Sequence, residues 1–385
     1  MIDFTGIGAD LTTRADAPAL GAPLRSVRLE PFGQTPDGLP VDAVVLTNAQ
    51  GMQVRFIGYG GAIVSIHVPD RQGALADVVL GFDSVGAYMA DDRYIGTIIG
   101  RYANRIRNGQ FVLDGERYDV SRNEGANHLH GGHGGFHHRW WSVERFERAA
   151  AVGATLRYRS PDGEGGFPGT VSVRVVYTLT DDGLLIVDYS ATTDRATPIT
   201  LTQHSYFNLA GHDAGTVLDH ELTIAATRFT PVDAVLLPTG ELRPVVGTPF
   251  DFTSARTIGS RLDLMDMQLR RARGYDHNFE LADAATRAEV QGASFAARLR
   301  HPRSGRTLEL YTTAPGLQLY TANVIREEPR GKGGHRYGVH AGVALEPQHF
   351  PDSPNQPQFP SAILRPGDEY RSRSVYRFSV SDSRS

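Results

Sequence analysis

Apolar and polar positions alternate along most of the chain. In residues 171–179, Val171, Val173, Val175, Tyr177 and Leu179 take every second position, the period of a strand with one buried face. Asp181-Asp182-Gly183 then turns the chain into residues 184–191, so these two runs are expected to pair antiparallel. Comparable short runs recur at 44–47, 53–57, 62–68, 155–159, 222–225, 295–299, 307–312, 317–321 and 375–380. Asp114-Gly115, between apolar 111–113 and alternating 117–120, predicts a tight hairpin. Helical periodicity is scarce: one short helix over 84–89, capped by Asp83 or Ser84, and one window over about 260–271. The expected fold class is all-β, a large antiparallel β-sandwich with few short helices. Residues 1–25, rich in Ala, Asp, Thr and Gly, read as a loosely held arm. No repeat, low-complexity tract or linker interrupts 26–385, which reads as a single domain.

One run ends in chemistry. Val343-Ala344-Leu345 leads into Glu346, and Pro347, Pro351, Pro354, Pro357 and Pro360 follow at close intervals. Proline lacks an N–H and biases its predecessor away from helix. Glu346 is therefore expected where a buried strand gives way to a stiff extended segment. A carboxylate fixed there is well placed to abstract a proton; the plainer alternative is a solvated strand-end glutamate.

Composition narrows the class. Glycine (42) and proline (22) exceed average usage, which fits many tight turns, and 40% hydrophobic residues exclude disorder. A formal net charge of −4 without a basic block gives no sign of nucleic acid or a membrane surface as a partner. With no cysteine there is no disulfide, thiolate metal site or thiol nucleophile. No apolar run approaches the ~18 residues of a membrane span, and the first residues lack a basic and apolar leader. A cytoplasmic protein, monomer or homodimer, is expected.

Several clusters could carry function. His128, His130, His133, His137 and His138 fall within eleven residues of glycine-rich loop. They invite a metal, yet the spacing fits no i, i+4 pair and no carboxylate stands at a fixed offset. The expectation is no metal, with one or two imidazoles facing a cavity and the rest solvated. Arg101, Asn104 and Arg105 sit among apolar residues, so one arginine is expected to meet a carboxylate or a ligand. His204 follows an apolar run, Asp276 lies in a polar turn, and alternation sends Gln318 and Tyr320 to one face. The glycine runs 131–135 and 331–334 open no helix and make poor phosphate cradles. No P-loop and no G-x-S-x-G elbow is present. What remains is an acid–base inventory suited to a neutral, hydroxyl-rich ligand.

Six segments in this order resemble the aldose 1-epimerase (galactose mutarotase) family: GRYANRI at 100–106, NHLHGG at 127–132, TQHSYFNLAG at 202–211, YDHNF at 275–279, GLQLYTAN at 316–323 and residues 345–360. The resemblance spans roughly 40–380. It implies a β-sandwich enzyme, an isomerase that interconverts anomers of a small-molecule aldose without a cofactor. By that resemblance His204 is the general acid and Glu346 the general base. Asn104, Arg105, His130, Asp276 and Gln318 then hold the sugar, with Tyr206 in support. Two rivals stay open: a non-catalytic sugar-binding module, and an epimerase of phosphorylated hexoses, for which Arg326, Arg330, Lys332 and Arg336 are candidate anion ligands. The segment 327–340 is longer and more basic than the family leads one to expect, and Pro347 and Ala322 stand where it often has Thr and Gly.

Overall fold

A computed structural model describes residues 25–262, 265–325 and 328–381. The expected arm at 1–25 lies outside them except for Arg25, which is ion-paired with Asp181.

The runs of alternating residues become strands, and their apolar faces meet. The largest sheet has ten strands. Its spatial order is Ser142–Arg148, Ala151–Ser160, Val171–Thr180, Leu184–Thr193, Tyr370–Val380, Arg306–Thr312, Ala293–Arg300, Glu221–Ile224 and Arg256–Thr257, with Glu289–Val290 beside Ala293–Arg300. Leu179 stands opposite Leu185 and Val171 opposite Thr193, the expected antiparallel pair. A five-stranded sheet, Ser26–Gln34 to Leu75–Asp77, follows sequence order. A six-stranded sheet runs Tyr206–Phe207, Val343–Gln348, Gly316–Tyr320, Asp276–Glu280, Arg228–Phe229 and Arg243–Pro244.

One buried cluster joins all three sheets. It holds Val171, Val173, Val175, Tyr177 and Leu179 from the ten-stranded sheet, Val44, Leu46, Val54 and Phe56 from the five-stranded sheet, and Phe207, Phe279, Leu317, Leu319, Val343 and Leu345 from the six-stranded sheet. Each such side chain contributes roughly 1.5–3 kcal/mol by leaving water, so this shared core fixes the sheets against one another.

Asp114 and Gly115 both adopt positive φ, 52° and 84°, as a tight hairpin between Gln110–Leu113 and Glu116–Asp119 requires. Val85–Met89 is helical and Ser84, not Asp83, caps it, accepting from Ala87 N. The second helical window divides. Ile258–Arg261 is a 3₁₀ turn, and a separate α-helix spans Met267–Ala272. Asp266 starts that helix by accepting from Gln268 N and Leu269 N, and a capping residue must itself be non-helical.

Glu346 also departs from expectation. Its strand runs on through Pro347 to Gln348, so the carboxylate is inside a strand, and it is buried rather than solvated. Pro347 is tolerated because the neighbouring Tyr206–Phe207 strand pairs only with Val343 and Ala344. A missing N–H farther along that edge breaks no ladder bond.

Candidate active site

The Val343–Gln348 strand is buried on both faces. Val343 and Leu345 enter the shared core, so alternation turns Ala344, Glu346 and Gln348 the other way. Cross-strand partners share a face, and the register extends this second face sideways. Glu346 stands opposite Gln318 and Gln318 opposite Asn278; Ala344 is opposite Tyr320 and Tyr206, and Tyr320 is opposite Asp276. Polar side chains from four strands are thereby gathered on one surface. Loops close over it to leave a cleft of about 410 Å³, at the small end of ligand cavities.

At its base, His204 Nε2 lies 3.5 Å from Glu346 Oε1, with side chains 3% and 2% exposed. His204 is held two residues ahead of the Tyr206–Phe207 strand by its backbone, its N–H donating to Thr97 O and its carbonyl accepting from Gly96 N. His204 Nδ1 and Glu346 Oε2 are buried without a hydrogen-bond partner. Burial lowers the His204 pKa to about 4. Burial, and then the charge of Asp276, push the Glu346 carboxyl well above its usual range, against the pull of Arg105. Both shifts favour the uncharged form of each group, a proton on the Glu346 carboxyl and none added to the His204 imidazole.

Arg105 is the second node. Its Nε and Nη2 donate to Glu124 Oε2 and Oε1, both at 2.7 Å, the two-point geometry that suits a guanidinium. It also reaches Asp276 Oδ2 at 3.5 Å. Burial opposes its charge, but Asp276 and Glu124 outweigh that and raise its pKa. Burial raises the Asp276 pKa, and Arg105 and Gln318 restrain it. The expectation that one of two arginines meets a carboxylate therefore falls on Arg105. Arg101 instead donates to the carbonyls of Pro161, Pro168 and Gly169 and to Ser160 Oγ.

The loop side is built from strained backbone. Eleven non-glycine residues among those described have positive φ, and four of them, Tyr94, Asn104, His130 and Leu236, line the cleft; such conformations persist where the surroundings over-determine them. Asn104 and His130 hold each other. His130 N donates to Asn104 O, and Asn104 N donates to His130 Nδ1, both at 3.1 Å. With Nδ1 accepting, a neutral imidazole must carry its proton on Nε2. Burial, then His204 and Arg105, keep His130 well below its ordinary pKa, so it stays a neutral N–H donor.

Seven of the eight residues singled out in the sequence line this cleft: His204, Glu346, Asn104, Arg105, His130, Tyr206 and Asp276. Gln318 stands behind it, donating to Asp276 Oδ1 at 2.6 Å. The Tyr206 hydroxyl is spent on Arg93 O at 3.0 Å. Of the five loop histidines, His128, His130 and His137 are buried, His138 is half-buried and only His133 is exposed. His130 alone of these lines the cleft; His128 donates to Ser121 O and accepts from Gly131 N, which shapes the turn. Alternation had already put Tyr320 on the face of Gln318, and it lines the cleft; sequence reasoning missed Glu124, Tyr94, Leu236, Val324 and Ile325. For Glu124 the usable signal was a charged residue just ahead of the Gly125–His130 loop, able to answer the unpaired arginine; the others carried none.

His130, His204 and Glu346 bring ligand atoms within 4.8 Å of one another, close enough to surround a metal ion. The fixed tautomer of His130 turns an N–H toward that point. Only His204 and Glu346 then offer lone pairs, fewer than the three protein ligands of a typical catalytic zinc.

The aldose 1-epimerase family model matches residues 42–377. The chain belongs to the aldose 1-epimerase family. It is 43% identical to galactose mutarotase from Bos taurus over 92% of this chain and 99% of that one. It is 39% identical to aldose 1-epimerase from Escherichia coli K12, over 89% and 96%. Among solved structures, an aldose epimerase homologue from C. elegans superposes with TM-score 0.79 at 31% identity, covering 89% of this chain and all of that one. Galactose 1-epimerase from Lactobacillus acidophilus gives 0.80 at 25%, covering 93% and all. As an aldose 1-epimerase the protein is an isomerase that interconverts the α and β anomers of aldoses. A merely sugar-binding module is not favoured by these relatives. A phosphohexose epimerase is not favoured either. Lys332 is buried, ion-paired with Asp77 and donating to Val64 O and Val79 O, and Arg330 pairs with Glu328 at 3.4 Å. Neither these two nor Arg336 lines the cleft, and Arg326 lies outside the described residues. No helix among those described is long and apolar enough to cross a membrane.

Proposed function

We propose that this aldose 1-epimerase acts on free, unphosphorylated aldoses of the glucose and galactose type, with Glu346 taking the anomeric proton and His204 protonating the ring oxygen. The reading is carried by one observation: a carboxyl and an imidazole 3.5 Å apart at the base of a sugar-sized cleft. Opening a hemiacetal removes a proton from the anomeric hydroxyl and delivers one to the adjacent ring oxygen. The aldehyde end then rotates, and reclosure on its other face returns both protons. A pair that shares one proton is matched to this exchange, because the net count does not change.

Burial favours keeping that proton on Glu346. A sugar hydroxyl donating to the carboxylate draws it toward the ionised form, and the proton passes to His204, within reach of the ring oxygen. His130, a neutral donor, offers Nε2–H to a sugar oxygen. Asp276, held by Arg105 and Gln318, accepts from hydroxyl groups, and Asn104 fixes His130. Tyr206 supports the base of the cleft. No electron or group is transferred, so the reaction calls for no redox or carrier cofactor.

The same reading takes residues 26–385 as one folding unit, supported by the buried cluster that runs from Val44 to Tyr376, in a cytoplasmic monomer or homodimer. Polarimetry of freshly dissolved α-D-glucose and α-D-galactose tests the function. Protein should speed the approach to anomeric equilibrium, and a decay identical to the uncatalysed one overturns the reading.

A further inference from the structure

Among the described residues, the charges grouped around Arg105 do not cancel. Arg105 is its central cation, and two carboxylates hold it, Glu124 at 2.7 Å and Asp276 at 3.5 Å. Three charged groups therefore sum to −1. Arg93, the other arginine of the wall, is committed to buried Asp91 at 2.6 Å. The histidines supply no compensating charge: His204 and His130 are both neutral near pH 7. Below them, Glu346 Oε2 is buried, unpartnered and part of the same wall, an acceptor awaiting a donor from a ligand. The lining also includes Leu129, Leu236, Ala272, Val324 and Ile325, which carry no charge. A concave, partly desolvated site of one sign focuses its field on whatever enters.

Resting on the proposed mutarotation, we propose that Glu124 is a specificity-determining residue: by gripping Arg105 at two points it leaves the cleft net negative, so that the enzyme accepts neutral and cationic aldoses, such as 2-amino-2-deoxyhexoses, and discriminates against uronates and other anionic sugars. Glu124 suits the role because it is the part-exposed member of the group, its side chain 34% accessible against 12% for Asp276. Without its grip, Arg105 would have only Asp276 as partner, and the local charge would fall to zero.

The test compares D-galactose, D-galacturonate and 2-amino-2-deoxy-D-galactose, the last below the pKa of its ammonium group, by anomeric exchange NMR at low salt. Wild-type kcat/KM for the uronate should be roughly tenfold below that for the neutral sugar, the size of a unit-charge interaction across such a cleft. The amino sugar should match or exceed the neutral one. Raising the salt should narrow the spread. Glu124→Gln should narrow it too, by improving the uronate relative to the neutral sugar. Saturation-transfer NMR reads the binding order of the three sugars apart from turnover. Failure to turn over D-galactose would thus sink the mutarotase reading without deciding the charge preference. Equal binding of all three by the wild type at low salt, or an equal loss for all three in Glu124→Gln, would overturn the inference.

Discussion

The ten-stranded and six-stranded sheets share a core and are built on different terms. In the ten-stranded sheet the strands Ala151–Ser160, Val171–Thr180 and Leu184–Thr193 are ten residues long. They present one apolar face inward and charges such as Arg174 and Asp188 outward. In the six-stranded sheet no strand exceeds six residues, and the face away from the core is buried as well, yet it carries Glu346, Gln318, Asn278 and Asp276. The first sheet secures the fold. The second places polar groups in low dielectric, where an unpartnered group costs free energy and a proton moves at a pKa that water would not give it.

The sharpest way to separate the two is to change one group on the polar face. Glu346→Gln and His204→Asn should each lower kcat by about 10²–10⁴-fold while circular dichroism and melting stay close to wild type. The double variant should lose far less than the product, since half of a proton exchange is of little use alone. The falling alkaline limb of the kcat/KM profile should reflect loss of the shared proton from Glu346, whose pKa is raised well above the ordinary carboxylate range, and Glu346→Gln should remove it. Normal mutarotation by folded Glu346→Gln would refute the assignment. The mirror experiment is Leu179→Ala in the large sheet. It should cost about 2–5 kcal/mol of stability by denaturant unfolding and leave kcat per folded molecule unchanged.

Acid attacks the same contrast through protonation. His128, His204, His220 and His349 have pKa values of about 4, and His277 of about 3, all lowered by burial. In the unfolded chain they take up protons near pH 6.5, whereas the folded protein resists. Stability should therefore be fully present above about pH 6.5 and fall as pH drops toward 4; calorimetric melting across that range measures it, and a flat Tm would contradict the burial. Asp276→Asn should act more gently, roughly tenfold and mostly in KM, as loss of ground-state binding does. Smallest of all is chelation. Exhaustive EDTA treatment should leave the rate unchanged, and loss restored by a single metal would show that the three ligand atoms near His204 are used.

The difference between the sheets also governed what could be read in advance. Period-two burial made Val171 to Leu179 and their pairing legible, and Asp114-Gly115 announced its own hairpin. The site residues were legible as motifs: seven of eight line one cleft, and Gln318 stands one layer behind. Glu346 was found for a partly mistaken reason, since its strand continues through Pro347 where a free edge permits it. Glu124 and Tyr94 stayed hidden because what makes them site residues is a tertiary partner or a left-handed backbone, and neither leaves a periodic trace. The broken helix near Asp266 turned on a cap that periodicity overlooks.

Acid and base come from the sheet region, but three apolar residues of the cleft lining do not. Leu236, Val324 and Ile325 belong to connections outside any strand. Substrate range and chemistry are thus heritable separately. A lineage, or a library randomised at 236, 324 and 325, can explore new sugars through these loops while Glu346 within its strand, and His204 between two short strands, stay anchored where the core will not let them drift.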